Sequence, residues 1–203
     1  MRHPTRQLLT CLIFLCGLLP AGEVDAQWVN PPSDGVLKTT PGLVHVTYES
    51  KAMQTTVGYS VVLPPGYEKS KERYPVVYWL HGGGGNESSS LSTARTWLEL
   101  YGSEKLRPVI LVYPNGFRSG YMDHFDGKIM VESMTIRELT PRIEKTYRTI
   151  ARREGRAVHG FSMGASGSLK FAFKYPDMFC SAVALAALRS KGIAYFRSET
   201  RSA

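Results

Sequence analysis

Cysteine is scarce in this chain: three in 203 residues, Cys11, Cys16 and Cys180. The first two fall in an N-terminal apolar segment, so Cys180 alone would remain after its removal. A single thiol closes no internal disulfide, and the fold has to rest on its hydrophobic core. Cys180 lies in an apolar stretch, where a small buried hydrophobe is the expected role rather than a catalytic thiol. No spaced Cys/His set suggests a structural metal, and no RNA-binding signature is present. No internal repeat is visible. The one extended apolar run, Leu8 to Leu19, is too short for a comfortable membrane span.

That run has the form of an export signal. Arg2 and Arg6 precede it, Pro20 and Gly22 break it, and Val24-Asp25-Ala26 offers a small-residue cleavage site. Residues 1–26 are therefore expected to be a signal peptide, with an uncleaved anchor as the alternative. Export would lead to the periplasm or the medium, with no membrane attachment after cleavage.

What is present is ordinary for a globular domain: 43% hydrophobic and 21% charged residues. The formal charge of +8 does not single out nucleic acid as a partner. Part of the excess sits in residues 189–203, and the rest is scattered in mixed groups such as Lys71-Glu72-Arg73, as on a solvated face.

Residues 27–42, rich in Pro, Gly and Ser, read as a lead-in loop. Val44, Val46 and Tyr48 alternate with polar residues as one strand, and Thr56 to Leu63 forms a second, so the two suggest an edge hairpin. Tyr74 to Leu80 and Val109 to Tyr113 are continuous apolar runs, as in strands covered on both faces. Helical spacing follows over Leu91 to Leu106, over Met130 to Tyr147 (where Pro141 predicts a kink or restart) and over Met163 to Tyr175. Short strands precede Gly160 and start at Ala182. A hairpin followed by alternating strands and helices predicts an α/β fold: a mostly parallel sheet with helices on both faces. In such sheets sites form at the carboxyl ends of strands.

Both glycine-rich turns fall there. Gly160-Phe161-Ser162-Met163-Gly164 lies between a strand and a helix, the context of a nucleophile elbow. A sharp turn would project the Ser162 hydroxyl at a helix N-terminus, where the helix dipole favours developing negative charge. The alternative is a tight turn with an inert serine. His81-Gly82-Gly83-Gly84-Gly85 follows a buried strand and exposes unencumbered backbone N–H groups. A phosphate loop fits poorly, since no Gly-Lys-Ser/Thr follows the glycines. His81 is expected to brace this loop rather than act as a base. His159 is expected to pack on its strand, and Asp123-His124 to be loop structure.

At these residues the chain resembles the putative-esterase family of α/β-hydrolases, which includes feruloyl and acetyl-xylan esterases and polyhydroxybutyrate depolymerase-like proteins. The resemblance runs from about Val44 to Leu188. It includes Leu63-Pro64-Pro65-Gly66-Tyr67, Tyr74 to Tyr78, the His81 glycine loop, Tyr113-Pro114-Asn115-Gly116, Glu138-Leu139, the Ser162 turn and Tyr175-Pro176-Asp177. It implies a serine esterase with Ser162 as nucleophile and the N–H groups of Gly83 and Met163 as oxyanion donors. It implies no cofactor and no metal. The substrate would be a small-molecule or polysaccharide ester, with feruloyl or acetyl groups on xylan as first candidates and a peptidase as an alternative.

In this family the acid and the histidine of the triad follow the serine. The histidines here are His3, His45, His81, His124 and His159, so none follows Ser162. Asp177 matches the end of the helix after the turn, and Glu199 lies in a basic tail. The chain is therefore expected to be a partial α/β-hydrolase domain over residues 43–188, missing the last strands and the triad acid and histidine. Residues 189–203 read as an aberrant tail. Low activity is expected of such a chain. A non-catalytic exported glycan-binding protein or a gene remnant are the rival readings.

Overall fold

The computed structural model describes residues 27–103 and 106–186. The expected signal segment, the basic tail and Glu199 lie outside the described residues. Among the described residues no helix is long and apolar enough to cross a membrane.

Six strands form one mixed sheet: β1 (Leu43–Ser50), β2 (Thr55–Val62), β3 (Val76–Leu80), β4 (Ile110–Pro114), β5 (Arg156–Phe161) and β6 (Ser181–Leu185). Their order across the sheet is β1-β2-β4-β3-β5-β6. The β1–β2 and β2–β4 pairs are antiparallel, and the other three pairs are parallel. This is the α/β sheet expected from the alternation of elements.

The apolar runs explain the layers. Every residue of β3 and β4 is buried, and successive side chains point to opposite faces. Val76, Tyr78 and Leu80 join a core with Met134, Leu139, Ile143 and Phe171. Val77 and Trp79 join a second core with Leu91, Ala94 and Tyr113. Helices α3 (Val131–Ser133), α4 (Thr140–Thr146) and α5 (Met163–Lys174) thus supply the first face, and α2 (Ser92–Gly102) the second. Each fully buried Leu or Ile contributes roughly 1.5–3 kcal/mol.

The structure departs from expectation in three places. The lead-in segment holds a short helix, α1 (Asp34–Thr39), opened where Ser33 O accepts the N–H groups of Val36 and Leu37. Asp34 in its first turn and Lys38 in its last complement the helix dipole. The segment after Met130 is not one α-helix. A run of wider π turns, Met134–Leu139, separates α3 from α4. Pro141 has no N–H for the carbonyl four residues back, and the helix widens just before it. Finally, Cys180 is exposed and free, not buried. It immediately precedes β6, where its N–H pairs with Arg156 O and its thiol faces outward towards the carbonyls of Glu154 and Arg156.

The two sheet edges are β1 and β6 among the described residues. Strand β6 is only half-buried, with Ser181 and Leu185 exposed.

Candidate active site

Ser162 sits where β5 ends and α5 begins, with φ 52° and ψ −111°. A non-glycine residue at this φ is strained by on the order of 1–3 kcal/mol and persists only where its surroundings enforce it. The enforcement is visible. A Cβ at Gly160 would lie 1.9 Å from Gly164 O, and one at Gly164 would lie 2.0 Å from Leu80 O. Strand and helix therefore meet backbone to backbone, and a side chain at either glycine would push them apart. Ser162 N–H donates to Leu185 O at 2.8 Å, and Ser162 O accepts Ala165 and Ser166 N–H. These bonds fix the turn while the Ser162 hydroxyl takes no partner among the described residues.

The glycine loop lies against this turn. Leu80 pairs with Gly160, so the chain beyond Leu80 leaves the sheet level with Phe161. A Cβ at Gly82 would meet the Phe161 ring at 3.1 Å. Gly83 and Gly84 are exposed, with open space beside both, and Gly84 has φ 79°. Neither Gly83 N–H nor Met163 N–H has a partner among the described residues. Met163 opens α5, where the first N–H groups have no intrahelical acceptor. An unpartnered backbone N–H can hold an oxyanion formed at a nearby serine, at roughly 3–4 kcal/mol per donor.

His81 is buried and both ring nitrogens are occupied. Nδ1 lies 2.8 Å from Gly82 O, and Nε2 accepts the Gly116 N–H at 2.9 Å. The carbonyl can only accept and the amide can only donate, so Nδ1 carries the proton and the ring is neutral. Burial pushes its pKa below 6.5. With both nitrogens engaged, His81 ties the loop to the turn after β4 and has no lone pair free for Ser162.

The loop is anchored again at Glu87, a fully buried carboxylate. It accepts Asn115 Nδ2 at 2.7 Å, His45 Nε2 at 3.2 Å, and both the N–H and the side-chain amide of Asn30. Gly58 leaves it room, since a Cβ there would fall 2.3 Å from Glu87 Oε1. Residues 27–30 are thus part of the scaffold behind the loop. Sequence reasoning missed Glu87, and its one local signal was the neighbouring Pro114-Asn115-Gly116 turn.

The remaining candidates lie elsewhere. His159 is packed between Trp79 and Trp97, with ring centroids 5.5 and 5.9 Å away, and burial lowers its pKa. Asp123 accepts the N–H and hydroxyl of Ser133 at 2.9 and 2.6 Å, which ties the loop to the last residue of α3. His124 begins the turn that closes on Ile129, through its N–H at 2.7 Å from Ile129 O. Asp177 is exposed in the turn after α5. None of these reaches Ser162. Two surface depressions, of ~540 Å³ beside Tyr48 and Arg142 and ~390 Å³ beside Pro64 and Tyr67, are lined by no residue of the loop or the turn.

A protein-family model described as "Putative esterase" matches residues 50–193. An esterase of Mycobacterium tuberculosis is 38% identical over 149 residues, which cover 70% of this chain and 31% of that protein. An endo-1,4-beta-xylanase/feruloyl esterase of Xylanibacter ruminicola is 33% identical over 144 residues, covering 66% and 20%. Among solved structures, a ferulic acid esterase superposes with a TM-score of 0.68 at 32% identity, over 73% of this chain and 59% of that one. The chain thus spans less than a third of those two relatives.

Proposed function

The chain belongs to the putative-esterase family, and from that premise we propose that it is a serine carboxylic-ester hydrolase working through an acyl-enzyme on Ser162. Ser162 Oγ attacks the ester carbonyl carbon and its proton passes to a base. The carbonyl oxygen becomes an oxyanion held by the N–H groups of Gly83 and Met163. Collapse expels the alcohol, which takes up a proton, and leaves Ser162 acylated. Water then repeats the sequence and releases the acid. The observation that supports this reading is the strained Ser162 turn at the start of α5, with the glycine loop packed against it at Phe161.

No histidine follows Ser162 in these 203 residues, and the rings of His81, His45 and His159 are engaged elsewhere. A serine without a base is a poor nucleophile at neutral pH. A polypeptide of these residues alone is expected to keep only the oxyanion contribution, on the order of 10³–10⁴ over water.

The substrate class we propose is a polysaccharide-linked feruloyl or acetyl ester, met outside the cytoplasm after export. The relatives named as feruloyl esterases, one of them joined to a xylanase, support it. Ferulate release from feruloylated arabinoxylan tests the reading. Slow release that disappears in Ser162→Ala supports it, and equal release by both chains sinks it. The unpartnered Ser162 hydroxyl favours one second reading, a glycan-binding protein without turnover, which would retain arabinoxylan and release nothing.

A further inference from the structure

A largely buried ion pair joins α3 to α5, and the mechanism above does not use it. Lys170, two turns into α5, donates to Glu132 Oε2 at 3.0 Å and to the main-chain carbonyl of Tyr121. Glu132 is itself buried on α3, and its Oε1 accepts Lys174 Nζ and the Tyr175 hydroxyl, each at 2.5 Å. A buried ion pair seldom adds net stability over apolar side chains of the same size, so its use points to a geometric task.

Tyr121 shows what that task is. It is fully buried, with φ 55°, a backbone conformation that its own side chain disfavours. Its ring fills the space left by two glycines. A Cβ at Gly116 would lie 2.5 Å from that ring, and one at Gly167 would lie 2.9 Å from it. Its hydroxyl donates to His81 O at 3.4 Å, its N–H donates to Ser119 Oγ, and Ser119 Oγ donates to Gly116 O. Gly116 N–H in turn holds the His81 ring. One side chain therefore touches α5, which carries Met163, and the His81 turn, which carries Gly83.

We propose that Lys170, held by Glu132, is a positioning residue: it locks Tyr121 as a wedge that sets the spacing between the two oxyanion donors. This deepens the esterase reading and rests on it for its catalytic consequence. The geometric part stands without it. Lys170 reaches no substrate and acts only through Tyr121.

The test uses the full chain, ¹⁵N-labelled, as wild type, Lys170→Met and Lys170→Arg. The expected result for Lys170→Met is displaced amide signals at Gly83, Gly116 and Met163 together, with those of β1 and α2 unmoved. Lys170→Arg, which keeps the charge and the donors, restores most of the wild-type positions. On an aryl ester, kcat of Lys170→Met falls on the order of tenfold to a hundredfold with KM unchanged. Displacement confined to α5 and Tyr121, with Gly83 in place, overturns the proposal. So does a folded Lys170→Met chain whose spectrum matches wild type. If Lys170→Met fails to fold, Glu132→Gln replaces it and is read at the same amides. Failure of the esterase reading shows differently, as hydrolysis that survives Ser162→Ala while the amide displacements remain.

Discussion

The two sides of Ser162 are built to different standards. On one side stands the oxyanion cradle: His81 with both nitrogens bonded, Glu87 buried under four donors, and Tyr121 wedged against two glycines. On the other side β6 ends in exposed Leu185, beside Phe161 at 50% exposure. The cradle is over-determined, since the side chains that brace it, His81, Glu87 and Tyr121, are all bonded and the close approaches fall at glycines. Among the described residues the β6 side is an apolar edge, the arrangement that invites pairing or aggregation. Residues 27–174 thus carry the proposed nucleophile and oxyanion donors, and no proposed base is among the described residues.

The contrast predicts unequal sensitivity to substitution. Gly164→Ala strikes the rigid side hardest, because its methyl would overlap Leu80 O and neither backbone can yield. A loss of about 3 kcal/mol or more in urea unfolding, or no folded chain, is expected. Glu87→Gln keeps the shape but turns two of its acceptor positions into donors facing Asn115 and Asn30. A loss of about 1–3 kcal/mol is expected in the same assay.

Acid should sharpen the contrast at His81. Its folded pKa lies below the ordinary 6.5 because burial disfavours the charged ring. Below pH 6.5 the unfolded chain takes up a proton that the folded chain refuses, so stability falls as pH drops from 6.5 towards the folded value. His159, lowered by the same cause, adds to the slope. Thermal unfolding from pH 7.5 to 5 is expected to show a falling midpoint, and His81→Gln to flatten part of the decline. Ser162→Gly should act in the opposite direction. It relieves the strained φ and is expected to raise stability by about 1 kcal/mol while removing the hydroxyl. The smallest effect belongs to the β6 side, where Leu185→Ser should change unfolding by no more than about 0.5 kcal/mol and improve solubility.

Much of this was legible in the sequence, for physical reasons. Apolar runs at Tyr74–Leu80 and Val109–Tyr113 read as strands covered on both faces, and β3 and β4 within them are buried at every residue. Glycines that flank a serine between a strand and a helix read as a close approach, and the Cβ distances at Gly160 and Gly164 show it. The misses came from long-range partners. Glu87 itself gave no signal because its partners Asn30, His45 and Asn115 lie far from it along the chain. The pairing of Glu132 with Lys170 and Lys174 forms only where α3 and α5 meet, which local charge patterning does not foretell. Cys180 looked buried because its neighbours are apolar, yet β6 is an edge and the thiol points outward.

The central claim is that Ser162 is acylated in a cradle already formed by these residues. Intact-mass analysis of the 203-residue chain incubated with 4-nitrophenyl acetate tests it most directly. The account predicts slow appearance of a single acetyl adduct, mapped to Ser162 and absent from Ser162→Ala. Acetylation spread over lysines, with Ser162 unmodified and the Ser162→Ala chain behaving identically, would contradict it.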